Sequence, residues 1–208
     1  KAECAPHGSR EGEIRFDPAI FQAGKPEPGA VGLIGQDPEG QIVTDRVWQE
    51  LVFGLESLGM PQSEMAVRVA ETVSYFGLES LYRRRTDTLS GGQKQLVSLA
   101  SVFALAPQLL LLDEPTAQLD PVAASDFFAT LQRLNREQGT TILLSEHRLE
   151  EALPMADLWE CCMGADFAAW HRLSRRWSGF GERRLMQCFV PACRQRFRYL
   201  TIGCSPVL

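Results

Sequence analysis

The chain has 208 residues, of which 45% are hydrophobic and 23% charged, and its formal net charge is -5. This composition provides for one good-sized domain with an apolar core, or one domain with an appendage. No basic stripe runs through the first 150 residues, which argues against nucleic acid as the main partner. No apolar run approaches the roughly 18 residues that cross a bilayer, and no signal peptide is evident. The expectation is therefore a cytosolic domain whose membrane role, if it has one, is peripheral.

The cysteines are concentrated near the C-terminal end, where five of the six follow residue 160. They form no C-x-x-C pair and have no histidine at ligand spacing, so a zinc site is not expected. Free thiols in a cytosolic protein are the interpretation that we adopt.

Strand and helix patterns alternate along the first half of the chain. The predicted elements are short strands at 12–16 and 31–34, and helices at 46–58 and 63–76, where apolar residues recur at helical spacing. Ser63 is expected to cap the second helix and Gly77 to end it. Asp37 to Gly40 has the composition of a turn.

The second half continues this alternation. The predicted elements are a helix from 91 to about 105, a buried strand at 109–112, a helix from Pro121 to Gly139 and a buried strand at 140–145. Strands that alternate with helices in this way indicate an α/β fold built on a parallel sheet.

Polar residues follow both buried strands. Asp113-Glu114 comes after the first strand, and Ser145-Glu146-His147 ends the second. Open parallel sheets bind ligands at the carboxyl ends of their strands. Two polar clusters at two such ends therefore predict one site.

The acidic pair at 113–114 has a pattern that suits phosphate hydrolysis. Asp113 is placed to hold Mg²⁺, directly or through water, because Mg²⁺ takes few protein oxygens. The neighbouring Glu114 points elsewhere and is placed to accept a proton from an attacking water. The alternative is an acidic pair that merely caps a turn before Pro115.

Three further features have both a functional and a structural interpretation. Ser90-Gly91-Gly92-Gln93 opens a helix, where N–H groups attract phosphate, or it is a Gly-Gly turn with Ser90 as the N-cap. His147 is placed to hydrogen-bond a terminal phosphate oxygen, or it is a surface histidine. Gln36 follows a strand, where its amide reaches a metal or water, or it has no special role.

These motifs together resemble the ATP-binding-cassette (ABC) ATPases over roughly residues 11–157. The motifs that carry the resemblance occur in the family's order, as Gln36, Leu89-Ser90-Gly91-Gly92-Gln93, Leu109 to Thr116 with Asp113-Glu114 inside it, Leu119-Asp120 and His147. The resemblance implies a P-loop NTPase-like parallel sheet with a helical signature subdomain at about 45–105.

The resemblance also implies roles for the site residues. Gln36 is similar to the Q-loop glutamine, which links the metal and the γ-phosphate to the coupling surface. Asp113 is similar to the Walker B aspartate that serves Mg²⁺, Glu114 to the general base, and His147 to the switch histidine. ATP and Mg²⁺ are the implied cofactors.

Two other motifs imply a second ATPase subunit. Ser90, Gly91, Gly92 and Gln93 resemble the signature that contacts ATP held by the opposite subunit, and Leu119-Asp120 resembles the D-loop. The family therefore implies a head-to-tail homodimer or heterodimer with two ATP molecules at its interface.

A finer resemblance points to one branch of the family. Gln36 to Ile42 and Val52 to Gly59 are similar to the ATPases of energy-coupling-factor and cobalt-type importers. This branch implies ATP hydrolysis that drives uptake of a vitamin or a transition-metal ion through an integral membrane subunit. The implied location is the cytoplasmic face of the membrane.

The phosphate-binding loop of the family is the main departure. No G-x-x-x-x-G-K-[ST] motif occurs in the chain. Because Gly12-Glu13-Ile14 resembles the strand after that loop, we expect the loop just upstream of Lys1 and the chain to be a truncated product with little activity alone. A parent gene without a Gly-Lys-Ser/Thr loop within about 40 codons before Lys1 would refute this expectation.

The predicted domain division falls at residue 157. Residues 1–157 form the partial ATPase domain, whereas residues 158–208 carry eight arginines, three acidic residues and clustered cysteines. Leu158 to Cys162 departs from the strand and glycine turn that are usual in the family. The hypotheses for this tail are a reading-frame shift near residue 158 or disorder.

Two other functions stay open at this stage. One is a soluble ABC ATPase that is not tied to transport, although such proteins usually carry tandem cassettes or a long insertion between Q-loop and signature. The other is a non-hydrolytic fragment, because a chain without the phosphate-binding loop should bind ATP poorly.

Overall fold

The computed structural model describes residues 27–156, 158–163, 166–167, 171–172 and 185–189, and it describes side chains over residues 27–148 and 150–156. The predicted strand at 12–16 lies outside these ranges. The strands are β1 (Val31–Ile34), β2 (Leu109–Asp113), β3 (Thr141–Ser145), β4 (Leu158–Met163), β5 (Asp166–Phe167), β6 (His171–Arg172) and β7 (Leu185–Phe189). The helices are α1 (Pro38–Gln41), α2 (Val47–Ser57), α3 (Gln62–Phe76), α4 (Gly91–Phe103), α5 (Pro121–Gln138) and α6 (Leu149–Ala152).

The strands form one sheet with the order β1-β2-β3-β7-β4-β5 in the described part of the chain, and β6 also pairs with β4. The pairs β1–β2, β2–β3, β3–β7 and β7–β4 are parallel, whereas β5 and β6 run antiparallel to β4. The predicted α/β fold with a parallel sheet is confirmed. Asp113 pairs in register with Ser145, so the two predicted polar clusters start at the same edge.

The core lies between the sheet and the helices that follow β1 and β2. Leu110 and Leu144 of the central strands are fully buried, and one apolar cluster joins them to helices α2 to α5. Burial of such side chains stabilises the fold by about 1.5–3 kcal/mol each, before the entropy of ordering the chain is counted. The continuous leucine run of β2 therefore packs as a buried central strand.

Most helix limits follow their local sequence signals. The αL conformation of Gly77 and Gly139 ends α3 and α5, as predicted, because glycine adopts a positive φ at little steric cost. Pro121 opens α5 at a position where the missing N–H is not needed. The predicted cap at Ser63 was wrong, because α3 begins at Gln62 and Pro61 is its N-cap residue without a side-chain hydrogen bond.

The turn predicted at 37–40 is a single helical turn. The Asp37 side chain accepts a hydrogen bond from the Glu39 N–H at 3.0 Å, and Pro38 occupies the first helical position. Both features are usual at helix starts. This short helix, α1, packs against the signature helix α4.

The segment after residue 157 contributes strands, although its sequence shows no regular alternation of strand and helix patterns. Strand β4 starts at Leu158 and is followed by β5, with which it pairs antiparallel. Strand β7 inserts between β3 and β4. The frame-shift and disorder hypotheses for the tail, and the division at residue 157, stay predictions. None of the helices within the described ranges combines the length and the hydropathy that a membrane span requires.

Candidate functional site

Glu114 is the centre of the site at the carboxyl end of β2. Its φ of +45° is unusual for a residue with a side chain, and a left-handed conformation raises the energy by roughly 1–2 kcal/mol. The Glu114 N–H donates to the Ser145 carbonyl oxygen at 3.0 Å and lies 3.2 Å from the Ser145 hydroxyl. Contacts with the end of β3 therefore hold the strained backbone in place.

Two polar side chains hydrogen-bond to the Glu114 carboxylate. Gln36 Nε2 donates to Oε2 at 3.0 Å from a position 78 residues earlier in the chain. His147 Nε2 lies 2.6 Å from Oε1, and its ring N–H is the donor when the glutamate is ionised. The Glu114 side chain remains 26% exposed, so a small molecule can approach the carboxylate. Two segments distant in the chain thus contact one carboxylate.

The neighbouring Asp113 is oriented by Ser145. The Ser145 hydroxyl donates to Asp113 Oδ1 at 2.6 Å, which leaves Oδ2 without a hydrogen bond among the described residues. No group of three or more His, Cys, Asp or Glu side chains is placed to hold a metal within those residues. This donor set fits Mg²⁺, which binds through one or two protein oxygens and completes its shell with water and substrate phosphates. Asp113, with the amide oxygen of Gln36, would hold that ion.

Asp120 ends the loop that follows Glu114. Its Oδ1 accepts from the N–H groups of Val122 and Ala123 at 3.0 and 2.9 Å and so caps α5. Its side chain is therefore occupied by the helix start and makes no hydrogen bond to Glu114 in the described part of the molecule.

The Ser90–Gln93 segment forms the start of α4. Ser90 Oγ accepts from the Gln93 N–H at 3.3 Å, and the Gln93 side chain accepts from the Ser90 N–H at 3.0 Å, which is a capping box. The Ser90 hydroxyl hydrogen remains available to a ligand. The interpretation of Ser90 as an N-cap is thus correct. The same hydroxyl can still donate to a ligand, as the functional interpretation requires.

The two glycines of this segment face the start of α5. A side chain at Gly92 would come within 3.0 Å of Ala123 Cβ, and one at Gly91 would lie 3.8 Å from the Gln118 carbonyl oxygen. Within the described residues, the Ser90–Gln93 segment makes no hydrogen bond to Asp113 or Glu114. The structure therefore links Gln36, Glu114 and His147 by hydrogen bonds beside Asp113, and among the described residues the Ser90–Gln93 segment makes no hydrogen bond to these four.

An ion pair connects the two parts. Lys94, which follows Gln93, donates to the Glu39 carboxylate of α1, and the lysine side chain is only 14% exposed. Since α1 begins two residues after Gln36, this contact joins the Gln36 loop to the signature helix. Sequence analysis missed this pair, because no spacing rule relates residues on two different helices.

Glu146 is a second residue without a predicted role. It is only 2% exposed and accepts hydrogen bonds from the Thr116 N–H and hydroxyl and from the His147 and Arg148 N–H groups. Its place between Ser145 and His147, at a strand end, was the available signal.

The parallel sheet and the polar strand ends define an α/β protein with a polar site at the carboxyl ends of its central strands. A model of the ABC transporter family matches residues 4–117, which is more than half of the chain. The chain therefore belongs to the ABC transporter family of ATPases.

Relatives and a solved structure agree with this assignment. A Bacillus thuringiensis protein, whose name places it among ABC transporter ATP-binding proteins, is 48% identical over 75% of this chain and 29% of its own length. The energy-coupling factor transporter ATP-binding protein EcfA of Methanoculleus marisnigri is 42% identical over 61% of this chain and 46% of its own. CbiO1 of Clostridium perfringens, described as part of the ABC transporter complex cbiONQ, superposes with a TM-score of 0.65 at 30% identity. That superposition covers 69% of this chain and 57% of CbiO1, and the chain spans less than half the length of both sequence relatives.

Proposed function

We propose that this chain belongs to the ATP-hydrolysing subunit of an ABC importer that takes up a vitamin or a transition-metal ion. The observation that carries the proposal is the Glu114 carboxylate, which Gln36 and His147 contact from two sides. It lies beside Asp113 at the carboxyl end of β2 in the parallel sheet. This arrangement places a base, a metal ligand and two polar donors at one point.

In the proposed reaction, Glu114 accepts a proton from a water molecule. The water oxygen forms a bond to the γ-phosphorus of ATP, and the bond to the β–γ bridging oxygen breaks, so that the electron pair leaves with ADP. Gln36 and His147 orient the Glu114 carboxylate, whose oxygens each keep a lone pair for the water proton. Mg²⁺, when bound through Asp113 and Gln36, would neutralise charge on the phosphates.

The separate position of the Ser90–Gln93 segment supports a dimer. The Ser90 hydroxyl and the N–H groups at the start of α4 are suited to an anion, but they make no hydrogen bond to this chain's own Glu114 among the described residues. A head-to-tail partner, either a second copy or a related ATPase subunit, would bring its nucleotide to this segment.

A surface groove that exposes several apolar side chains supports the membrane partner. Val43, Trp48 and Phe53 have exposed side chains and, together with several polar and acidic residues, line a cavity of about 480 Å³ beside α2. Glu50 fixes the wall of this groove, because its buried carboxylate accepts from the Val43 N–H at 3.2 Å and the Thr44 hydroxyl at 2.8 Å. Exposed apolar clusters of this kind mark interaction sites. The proposed occupant is a helical segment of the membrane subunit, at the cytoplasmic face of the membrane.

The first prediction tests the base. In the full-length protein, Glu114→Gln should lower kcat for ATP hydrolysis by about 100-fold or more, because general base catalysis contributes on that scale. Binding of ATP should be retained. The matched control is Glu71→Gln, which makes the same change at an exposed position of α3 and should leave kcat unchanged. Unchanged turnover by the Glu114 variant would exclude the proposed role.

A second experiment separates the importer from a soluble ATPase. Co-purification of the full-length protein with an integral membrane protein is expected for the importer. An active ATPase that copurifies with no membrane protein under mild detergent would favour the soluble alternative. Absence of ATP hydrolysis by the full-length protein would instead favour a non-hydrolytic role.

A further inference from the structure

Glu146 is a buried acidic residue in the loop that follows β3. Its side chain is 2% exposed, which is rare for a glutamate. Removing a carboxylate from water is unfavourable unless hydrogen bonds replace the lost hydration. The contacts of this carboxylate therefore indicate why it is kept inside.

Four donors from two segments surround the Glu146 carboxylate. Oε1 accepts from the Thr116 N–H at 3.1 Å and from the Thr116 hydroxyl. Oε2 accepts from the His147 N–H at 2.9 Å and the Arg148 N–H at 3.3 Å. Each oxygen thus serves one segment, and the carboxylate bridges the two.

The bridge joins the backbones that carry the two central groups of the site. Thr116 lies two residues after Glu114, and His147 directly follows Glu146. A second contact lies further along, where Arg148 Nη2 donates to the Leu119 carbonyl oxygen at 2.8 Å. The loop after β2 is therefore tied to the loop after β3 at Glu114, at Thr116 and at Leu119.

We propose that Glu146 is a positioning residue, which holds His147 in register with Glu114 by clamping Thr116 to the N–H groups of His147 and Arg148. The inference rests on the proposed ATP hydrolysis at Glu114. Glu146 does not contact the reacting atoms, and it acts through the placement of the other two side chains. A displacement of about 1 Å at such groups is enough to slow a reaction by up to 100-fold.

Glu146→Gln is the sharpest variant, because it keeps the shape of the side chain. A glutamine has one acceptor oxygen and one NH₂ donor, so its NH₂ must face one of the two donor pairs. The clamp should therefore open on one side. We expect kcat of the full-length protein to fall by at least about tenfold while KM for ATP stays within about twofold.

The matched control is Glu150→Gln, which makes the same change at an exposed position four residues later. It should leave kcat and KM unchanged. Hydrogen exchange should accelerate in the Glu146 variant, and not in the control, on the side of the clamp that opens, which is either the Thr116 amide or the amides of His147 and Arg148. A lower kcat without faster exchange at any of these three amides would overturn the inference, because the loss of activity would then not come from the clamp.

A second pair of variants covers the case in which Glu146→Gln does not fold. Thr116→Val removes only the hydroxyl donor and should lower kcat by about three- to tenfold, whereas Thr116→Ser keeps the donor and should stay within about twofold. A purely structural role would lower the melting temperature in both series without changing kcat below that temperature.

The outcomes separate this inference from the proposed function. The unsubstituted full-length protein is the reference, called the parent protein. If the parent protein hydrolyses ATP and both Glu146→Gln and Thr116→Val keep its kcat within twofold, the positioning role alone is wrong. If the parent protein hydrolyses no ATP, the proposed function is wrong, and the positioning role fails with it.

Discussion

Ser145 shows how a single hydroxyl organises the acidic pair. It donates to Asp113 Oδ1 at 2.6 Å and lies 3.2 Å from the Glu114 N–H. One residue of the adjacent strand thus contacts both members of the acidic pair, through the carboxylate of Asp113 and the backbone N–H of Glu114. The in-register pairing of Asp113 with Ser145 makes these contacts possible.

The residue-scale prediction concerns Ser145→Ala. Loss of this hydroxyl should lower the free energy of unfolding by about 0.5–1.5 kcal/mol, the usual range for one hydrogen bond. The Mg²⁺ concentration for half-maximal ATP hydrolysis should rise, because Asp113 is no longer oriented. Urea denaturation and a Mg²⁺ titration of the full-length protein measure the two effects.

Ser101→Ala is the control for this prediction. Its hydroxyl donates to the Ser98 carbonyl oxygen at 3.0 Å within α4 and makes no hydrogen bond to the acidic pair among the described residues. It should lower stability by a similar amount without changing the Mg²⁺ requirement. An equal Mg²⁺ requirement for parent and Ser145→Ala would show that the hydroxyl does not orient the metal ligand.

Strand β1 approaches helix α4 closely at Gly32. A Cβ at this position would lie 2.3 Å from Val102 Cγ1 and 2.8 Å from Leu110 Cδ2, which is closer than such atoms can come. At Gly35, the first residue after the same strand, a Cβ would meet nothing within 4 Å. Close packing therefore requires glycine at position 32, whereas packing leaves room for a side chain at position 35.

The element-scale prediction compares these two positions. Gly32→Ala should lower the free energy of unfolding by about 1–3 kcal/mol through overpacking. Gly35→Ala should change it by less than about 0.5 kcal/mol. Urea midpoints measure both changes, and Val102→Ala in the Gly32→Ala background should restore part of the loss. Equal effects at the two positions would contradict the packing argument.

The limits of the elements were largely predictable from sequence. Strands β1 and β2 and helix α5 stand where apolar runs, Pro121 and Gly139 place them, because these signals act within a few residues. The Lys94–Glu39 pair and the clamp at Glu146 were not predictable. Each depends on the distance between elements far apart in the chain, which no local pattern specifies.

The same division applies to the candidate site. Motif resemblance assigned Gln36, Glu114 and His147 to one site, and the structure brings them into contact. Residue chemistry alone had left each with a structural alternative. The strands after residue 157 were missed, because their segment shows poor periodicity and the pairing of β7 with β3 and with β4 is non-local.

At the scale of the whole molecule, Tyr75 connects helix α3 to helix α5. Its hydroxyl donates to Glu137 Oε2 at 2.8 Å, and the Arg133 guanidinium lies 4.4 Å from its ring centroid. Phe76 and Phe103 complete an aromatic cluster around it. Burial, followed by the hydrogen bond and charge of Glu137, raises the pKa of Tyr75 from 10.0 to about 12.

The whole-molecule prediction follows from that pKa. Since the neutral phenol is favoured in the folded state, its contribution to stability is fully present below pH 10 and is lost as pH rises towards about 12. The difference in unfolding free energy between the parent and Tyr75→Phe should therefore shrink over this interval. Urea denaturation at several pH values measures it.

Glu137→Gln provides the comparison for this prediction. It removes a charge that disfavours the phenolate, so the pH dependence should become weaker but persist, because burial is the larger cause. A difference between parent and Tyr75→Phe that stays constant from pH 10 to pH 12 would contradict the argument.

The positive φ of Glu114 has a consequence for how this protein would respond to selection. Glycine and asparagine occupy that backbone conformation more easily than glutamate does. A laboratory selection for heat resistance alone would therefore favour replacing the very residue proposed as the base. Glutamate therefore stands where the backbone favours other residues, and the proposed chemistry and thermal stability would make opposite demands at this position.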